Sequence, residues 1–534
     1  MVLKCNYKAA IGCVKSLNEG FEIAFKGGLV TGFTSIGLCL LNLLLLLGLY
    51  MKLYLPEDPS QYDYFRLMIT VSAYALGTST ISLFMRLGGG IYSKAADLGT
   101  DLIDNSEDNT GITPTTMATI GDYVGDVTED LCGMSSDLLD SCACIICGTL
   151  IISSMSTELT INSTLFPLLI MSNGIIVSLL ATLYVIKYTP ITVSGNIKGA
   201  LRNQYIVGCI LTIALLLLSI VIGLPSEFTF TFSDHSLSTN GFWCFICSTL
   251  GLISGLVFGY YTDKQNVNDY LSLDHLDTQS IWSLLYVLVI EYIPVIVPTV
   301  CIVVTIYVSH LIAGVYGICL AALGCVPIAC IAITISGYRA IANNVCGIMK
   351  LMKISEYIAN INGELDVGKK STARIGKSFA LGLAIFAGFS LFSAFIIKTN
   401  IPDISLLRLL YICGLLIGFG LPYGILRLVK YSVNKVADKM SQEIQNQFAR
   451  SAQGTLLHVN RFHLCSQYPS LCHYFCKSFA YRINDNRSSD YISSFNKWLG
   501  AWCRRCFRSI SRFINSRDNN GYFRIKWEYK GRVL

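Results

Sequence analysis

The chain has 534 residues, 53% of them hydrophobic and 14% charged, with a net charge of +6 and a mean hydropathy of +0.55. This balance excludes a water-soluble domain and predicts an all-α polytopic membrane protein, and a charge this small calls for no nucleic acid. The 21 cysteines are scattered, many inside apolar runs and without paired metal spacing, so they read as small apolar core residues rather than a disulfide framework.

Residues 1–26 are mixed polar and hold no apolar stretch of the kind a cleaved leader needs. Residues 27–51 carry no charge and are long enough to cross a bilayer. Pro56-Glu-Asp-Pro59 makes a polar turn, and a second span over 67–85 delivers the chain to Arg86. A third begins near Asp130 and runs to about Met155. Further spans are expected at 165–186, 204–224, 241–262, 282–309, 311–338, 376–398 and 405–431. That makes about ten helices and no strands, with 225–240 and 263–280 as polar loops. A membrane domain over 1–450 is then followed by a basic tail, 451–534, with fourteen Lys or Arg against four acids. The tail reads as a solvated extension held near anionic lipid heads, or as a misread end of the coding sequence.

The chain is organised around two charged segments. The first is Arg86-Leu-Gly-Gly-Gly-Ile-Tyr-Ser-Lys94-Ala-Ala-Asp97-Leu-Gly-Thr-Asp101, and the second is Gly121-Asp122-Tyr-Val-Gly-Asp126-Val-Thr-Glu129-Asp130. On a helix, Lys94, Asp97 and Asp101 share one face, and Asp122, Asp126 and Asp130 follow each other turn by turn. An unbroken helix keeps Glu129, Asp137 and Asp140 on the same stripe, about 100° wide. Such a stripe repels itself unless cations or a ligand neutralise it. Oxygen-only donors suit Mg²⁺, a hard ion that completes its shell with phosphate oxygens and water. Lys94 adds a point charge for phosphate. The competing reading is a solvated acidic loop. Against it, the stripe runs on into apolar Ser141-Cys-Ala-Cys-Ile-Ile-Cys147, where ionisable groups mark ion paths.

The run Gly-Gly-Gly-Ile-Tyr-Ser-Lys-Ala-Ala-Asp-x-Gly-x-Asp, then Gly-Asp and Gly-Met-Ser-Ser-Asp, resembles the membrane-bound, ion-pumping inorganic pyrophosphatases. The resemblance implies a partial version of that family's sixteen-helix fold, a homodimer, and pyrophosphate as substrate. It makes Asp97, Asp101, Asp122, Asp126 and Asp130 the holders of Mg²⁺, and assigns catalysis to Asp122, Asp126, Asp130 and Lys94. Lys94 and Asp97 would bind substrate, and Arg86, Asp137 and Asp140 would form the ion gate. A second segment, 336–380, resembles two further family motifs. There Asn343 stands at a metal-binding aspartate position and Lys370 at an asparagine position that serves the metal. Ala373 and Gly376 match the potassium-requiring branch. Leu421-Pro-Tyr423 and the run 433–448 follow the family too, so the resemblance covers about residues 20–450. About three helices at each end, with the last catalytic segments, have no counterpart. Cys144 stands where the family often carries a membrane-embedded glutamate; Asp140, one turn before it, reaches the same side. The expected function is a pyrophosphate-energised proton pump in an acidic vacuole or acidocalcisome-type membrane. A non-catalytic relative or gene fragment, or a cation channel or carrier, stays open, although a cation pore has no use for Lys94.

Overall fold

In the computed structural model the described residues are 2–54, 64–102, 114–156, 158–189, 191, 197–232, 235–264, 281–351, 356–399 and 409–452. Pro56–Pro59, all of 104–109, most of 263–280, and the tail from 453 onward lie outside them. In order, the elements are α1 (Val2–Lys15), α2 (Leu17–Tyr54), α3 (Tyr64–Asp101), α4 (Pro114–Thr128), a π-helical segment (Glu129–Met134), α5 (Ser135–Ser153), α6 (Ile161–Thr164), α7 (Phe166–Tyr188) and α8 (Ile197–Gly223). A hairpin of β1 (Glu227–Phe232) and β2 (His235–Asn240) follows, then α9 (Gly241–Lys264), α10 (Ile281–Leu351), α11 (Glu356–Thr399) and α12 (Leu409–Ala452). Eight helices among the described residues are long and apolar enough to cross a membrane. Within the described residues the ten expected spans fall on helices, two of them on α10, which is interrupted at Ala313 and Gly314, and the start of the last, 405–408, lies outside those residues. Gly314 sits at φ +56°, a conformation only glycine adopts without strain. The chain is an integral membrane protein.

The chain divides into two compact units, the first formed by Met1–Arg86 with Asp126–Leu409 and the second by Leu87–Gly125 with the segment from Leu410. At the centre of the first lies the second half of α10. Its Tyr316, Cys319, Leu323, Ile328, Ile333 and Tyr338 are all buried. Lipid tails supply no hydrophobic drive between helices, so close van der Waals approach must hold the bundle together. Glycines provide it. A Cβ on Gly251 would stand 1.8 Å from the Ala321 carbonyl oxygen, and one on Gly324 2.0 Å from that of Ser248, so α9 and α10 meet backbone to backbone. Between α2 and α10, Gly28 plays the same part opposite Thr334. Polar rungs add register: Asn173 Nδ2 donates to Ser219 Oγ at 2.7 Å, and Gln204 Nε2 to Thr182 Oγ1 at 2.9 Å. Each such bond contributes roughly 0.6 kcal/mol in a membrane bundle.

The hairpin corrects the expectation of a plain loop over 225–240. Glu227-Phe-Thr-Phe-Thr-Phe232 alternates apolar and polar with period two, which is a strand pattern. Phe228 and Phe230 turn inward, and the Phe230 ring lies 4.6 Å from that of Tyr316. Glu158 accepts the Thr229 amide at 2.6 Å and its hydroxyl at 2.9 Å, pinning the strand to the loop after α5.

In the second unit α12 packs its buried Val436, Ala437 and Met440 inward and exposes Leu415, Leu416, Ile417 and Phe419. Gly99 on α3 lets the Ala437 backbone approach, with a built Cβ 3.4 Å from its carbonyl.

Gly251→Val is expected to abolish or strongly destabilise the folded protein, because backbone rather than a flexible side chain fills the space. Gly388→Ala, which has open space, should leave thermal unfolding in detergent unchanged. An unshifted midpoint for Gly251→Val would contradict the packing account.

Candidate functional site

The charged residues sort into two groups, one in each unit. In the second unit the last turns of α3 present Lys94, Asp97 and Asp101. Lys94 Nζ pairs with Asp97 Oδ2 at 2.6 Å, as the i, i+3 spacing predicts, and Asp101 closes the helix with its side chain exposed. Asp122 on α4 brings a carboxylate oxygen within 4.8 Å of one on Asp97. Gly125 makes this approach possible: a Cβ there would lie 2.9 Å from Ser93 Cα, so only glycine lets the two backbones draw together. Two carboxylates at this separation, with oxygen donors only, fit a hard divalent cation that keeps several of its waters.

In the first unit, the last turn of α4 and the π segment face α10. Asp126 Oδ2 accepts a hydrogen bond from Asn343 Nδ2 at 2.6 Å, and Asn343 is only 1% exposed. One turn further, Asp130 pairs with Arg339 at 3.2 Å, with both side chains buried. Ser336 donates to the Asp130 carbonyl at 3.3 Å.

α5 faces α3 instead. Arg86 Nε lies 3.1 Å from Asp137 Oδ2, and Arg86 Nη1 lies 3.7 Å from Glu129 Oε1. Ser82 donates to Asp137 at 3.0 Å. Asp140 Oδ1 accepts from Ser79 at 2.6 Å and Thr78 at 3.0 Å, with Cys144 Sγ 3.5 Å away. The pairing of Arg86 with Asp137 and the placing of Asp140 beside Cys144 match the sequence reading.

The single continuous stripe does not survive. A π turn holds one residue more than an α turn, so it sets everything after it back by about 100°. Asp130 therefore faces Arg339 on α10, while Asp137 and Asp140 face Ser82, Thr78 and Ser79 on α3. Arg339 had no role in the sequence reading, although an arginine within the apolar run 331–345 is the kind of intramembrane charge that marks a site. The hydroxyls of Thr78, Ser79 and Ser82 carried no signal, because hydropathy cannot tell a satisfied membrane hydroxyl from a functional one. Lys370 and Ala373 lie in α11, and their side chains are outside the described residues. Gly376 is buried, with a built Cβ 2.4 Å from Met134 Cε.

The family profile described as "Inorganic H+ pyrophosphatase" matches residues 1–459. A Clostridium tetani protein named putative K(+)-stimulated pyrophosphate-energized sodium pump is 29% identical over 462 residues, covering 83% of this chain and 63% of that protein. The K(+)-stimulated pyrophosphate-energized sodium pump of Thermotoga maritima is 29% identical, covering 85% of this chain and 68% of its own length. The K(+)-insensitive pyrophosphate-energized proton pump of Methanosarcina mazei is 27% identical, covering 84% and 64%. The chain thus spans 63–68% of the length of these curated relatives.

Arg86→Met strands Asp137 and Glu129 without their shared cation. A loss of roughly 1–2 kcal/mol is expected, below the 3–5 of a fully buried pair because Arg86 is one-third exposed. Thermal unfolding in detergent measures it, and Asp137→Asn added to Arg86→Met should recover part of the loss. Equal stability of Arg86→Met and wild type would refute the bridging role.

Proposed function

Because the chain belongs to the inorganic H+ pyrophosphatase family, we propose that it works as a membrane-embedded pump energised by pyrophosphate, with the proton as the transported ion. The observation that carries the site is the approach of Asp97 and Asp122 beside Lys94: two hard anionic donors with a phosphate-binding cation on the next turn. Asp101 joins them in the proposed Mg²⁺ set, and in the first unit Asn343 serves Asp126 as a neutral donor. Bound Mg²⁺ would neutralise phosphate oxygens and lower the pKa of the attacking water. Lys94, a point charge on a flexible stem, holds a phosphate oxygen. Asp122 and Asp126, on successive turns of α4, orient the attacking water and take up its proton.

The gate is the α3–α5 interface. Arg86 holds Asp137, and Asp140 is the acid that carries the ion between Thr78, Ser79 and Cys144. A proton needs no more than one carboxylate. Sodium is the second reading, because three oxygens converge at Asp140 and two of the relatives described above are named sodium pumps. Potassium dependence follows in this proposal from Ala373 and Gly376. A homodimer in an acidic vacuole or acidocalcisome-type membrane is part of the same family-based reading.

The test uses purified protein in vesicles. Asp97→Ala is expected to lose Mg²⁺-dependent pyrophosphate binding. Asp140→Asn should keep that binding and lose the pyrophosphate-driven pH change across the vesicle. Uptake of labelled sodium without a pH change would favour the second reading. Wild-type binding affinity in Asp97→Ala, or intact transport in Asp140→Asn, would sink the assignment.

A further inference from the structure

Asp126 and Asp130 sit one turn apart at the end of α4 and the start of the π segment. Asn343 and Arg339 sit one turn apart on α10 and pair with them in reverse order, 343 with 126 and 339 with 130. The result is a two-rung ladder, with Asn343, Asp130 and Arg339 all buried. A guanidinium does not lose its proton in a protein, so Arg339 is a permanent positive charge inside the helix bundle. Such a charge is retained only where an anion balances it, and Asp130 at 3.2 Å does so. Asn343, where the family resemblance expects an aspartate, removes one negative charge from the ladder, and Arg339 brings one positive charge of its own. That difference is two units, the charge of one divalent cation.

We propose that Arg339 is a resident counter-cation that takes the place of one divalent metal ion in the acidic site, so that Asp130 belongs to the protein's own ion pair rather than to a metal. This rests on the reading of the acidic segments as a divalent-cation site. A guanidinium neutralises Asp130 whatever the metal concentration, whereas Asp126, which meets the neutral Asn343 amide, keeps its negative charge. The remaining metal demand falls on Asp97, Asp122 and their neighbours.

The experiment titrates the purified full chain in detergent with Mn²⁺ and counts bound ions from the free Mn²⁺ signal in electron paramagnetic resonance. Arg339→Met should bind about one Mn²⁺ more than wild type, because Asp130 loses its permanent counter-charge and a cation can supply it. Arg339→Lys keeps the charge and should bind the wild-type number. Removing one partner of a buried pair can unfold a protein, whereas replacing both by neutral groups of similar size is often tolerated. The double variant Arg339→Met with Asp130→Asn is therefore the safeguard: it should fold and bind the wild-type number of ions. Loss of an ion from that double variant would mean Asp130 already held metal and would overturn the proposal. So would an unchanged ion count in a folded Arg339→Met. A wild-type chain that binds no Mn²⁺ at all would instead overturn the acidic-site reading on which this one stands.

Discussion

The rest of the structure depends on how carboxylates are neutralised inside an apolar helix bundle. An unpaired charge in such a setting is costly, and a protein that retains several must answer each one. Here the answers come from two helices, α3 and α10. Arg86 on α3 takes Glu129 and Asp137, Arg339 on α10 takes Asp130, and Asn343 gives Asp126 a hydrogen-bond donor. Thr78 and Ser79 serve Asp140. These pairs fix which faces of α3, α5 and α10 turn towards one another. The glycine-mediated contacts then set how closely the helices approach.

The π segment Glu129–Met134 connects the two kinds of chemistry. By holding one residue more than an α turn, it lets a single run of chain address α10 with Asp126 and Asp130, then α3 with Asp137 and Asp140. Without that offset, the acids proposed for substrate chemistry and those proposed for ion passage would crowd onto one face and repel each other. The irregular turn separates them while keeping them on one mechanical element.

Much of this was legible in the residues. Uncharged runs located the spans, the i, i+3 spacing put Lys94 and Asp97 on one helix face, and the helical period placed Asp140 beside Cys144. Three features escaped. The hairpin was hidden by its short length and polar threonines, although its period-two phenylalanines carried the pattern. The π turn has no side-chain signature, so the residue pattern alone implies a regular helix through it. Arg339 was visible as a charge in an apolar run, but its partner was not. Nothing in the spacing connects residue 339 to residue 130, and only tertiary packing brings them together.

The central claim is that the acidic segments form a site for a divalent cation together with a diphosphate. Thermal unfolding of the purified chain with Mg²⁺, with the non-hydrolysable analogue imidodiphosphate, and with both tests it most directly, because a ligand that binds only the folded state raises the unfolding midpoint. The account predicts a small shift with either alone and a much larger one with both, since each supplies charge the other needs. Equal shifts with one component and with both, or no shift with the pair, would contradict it.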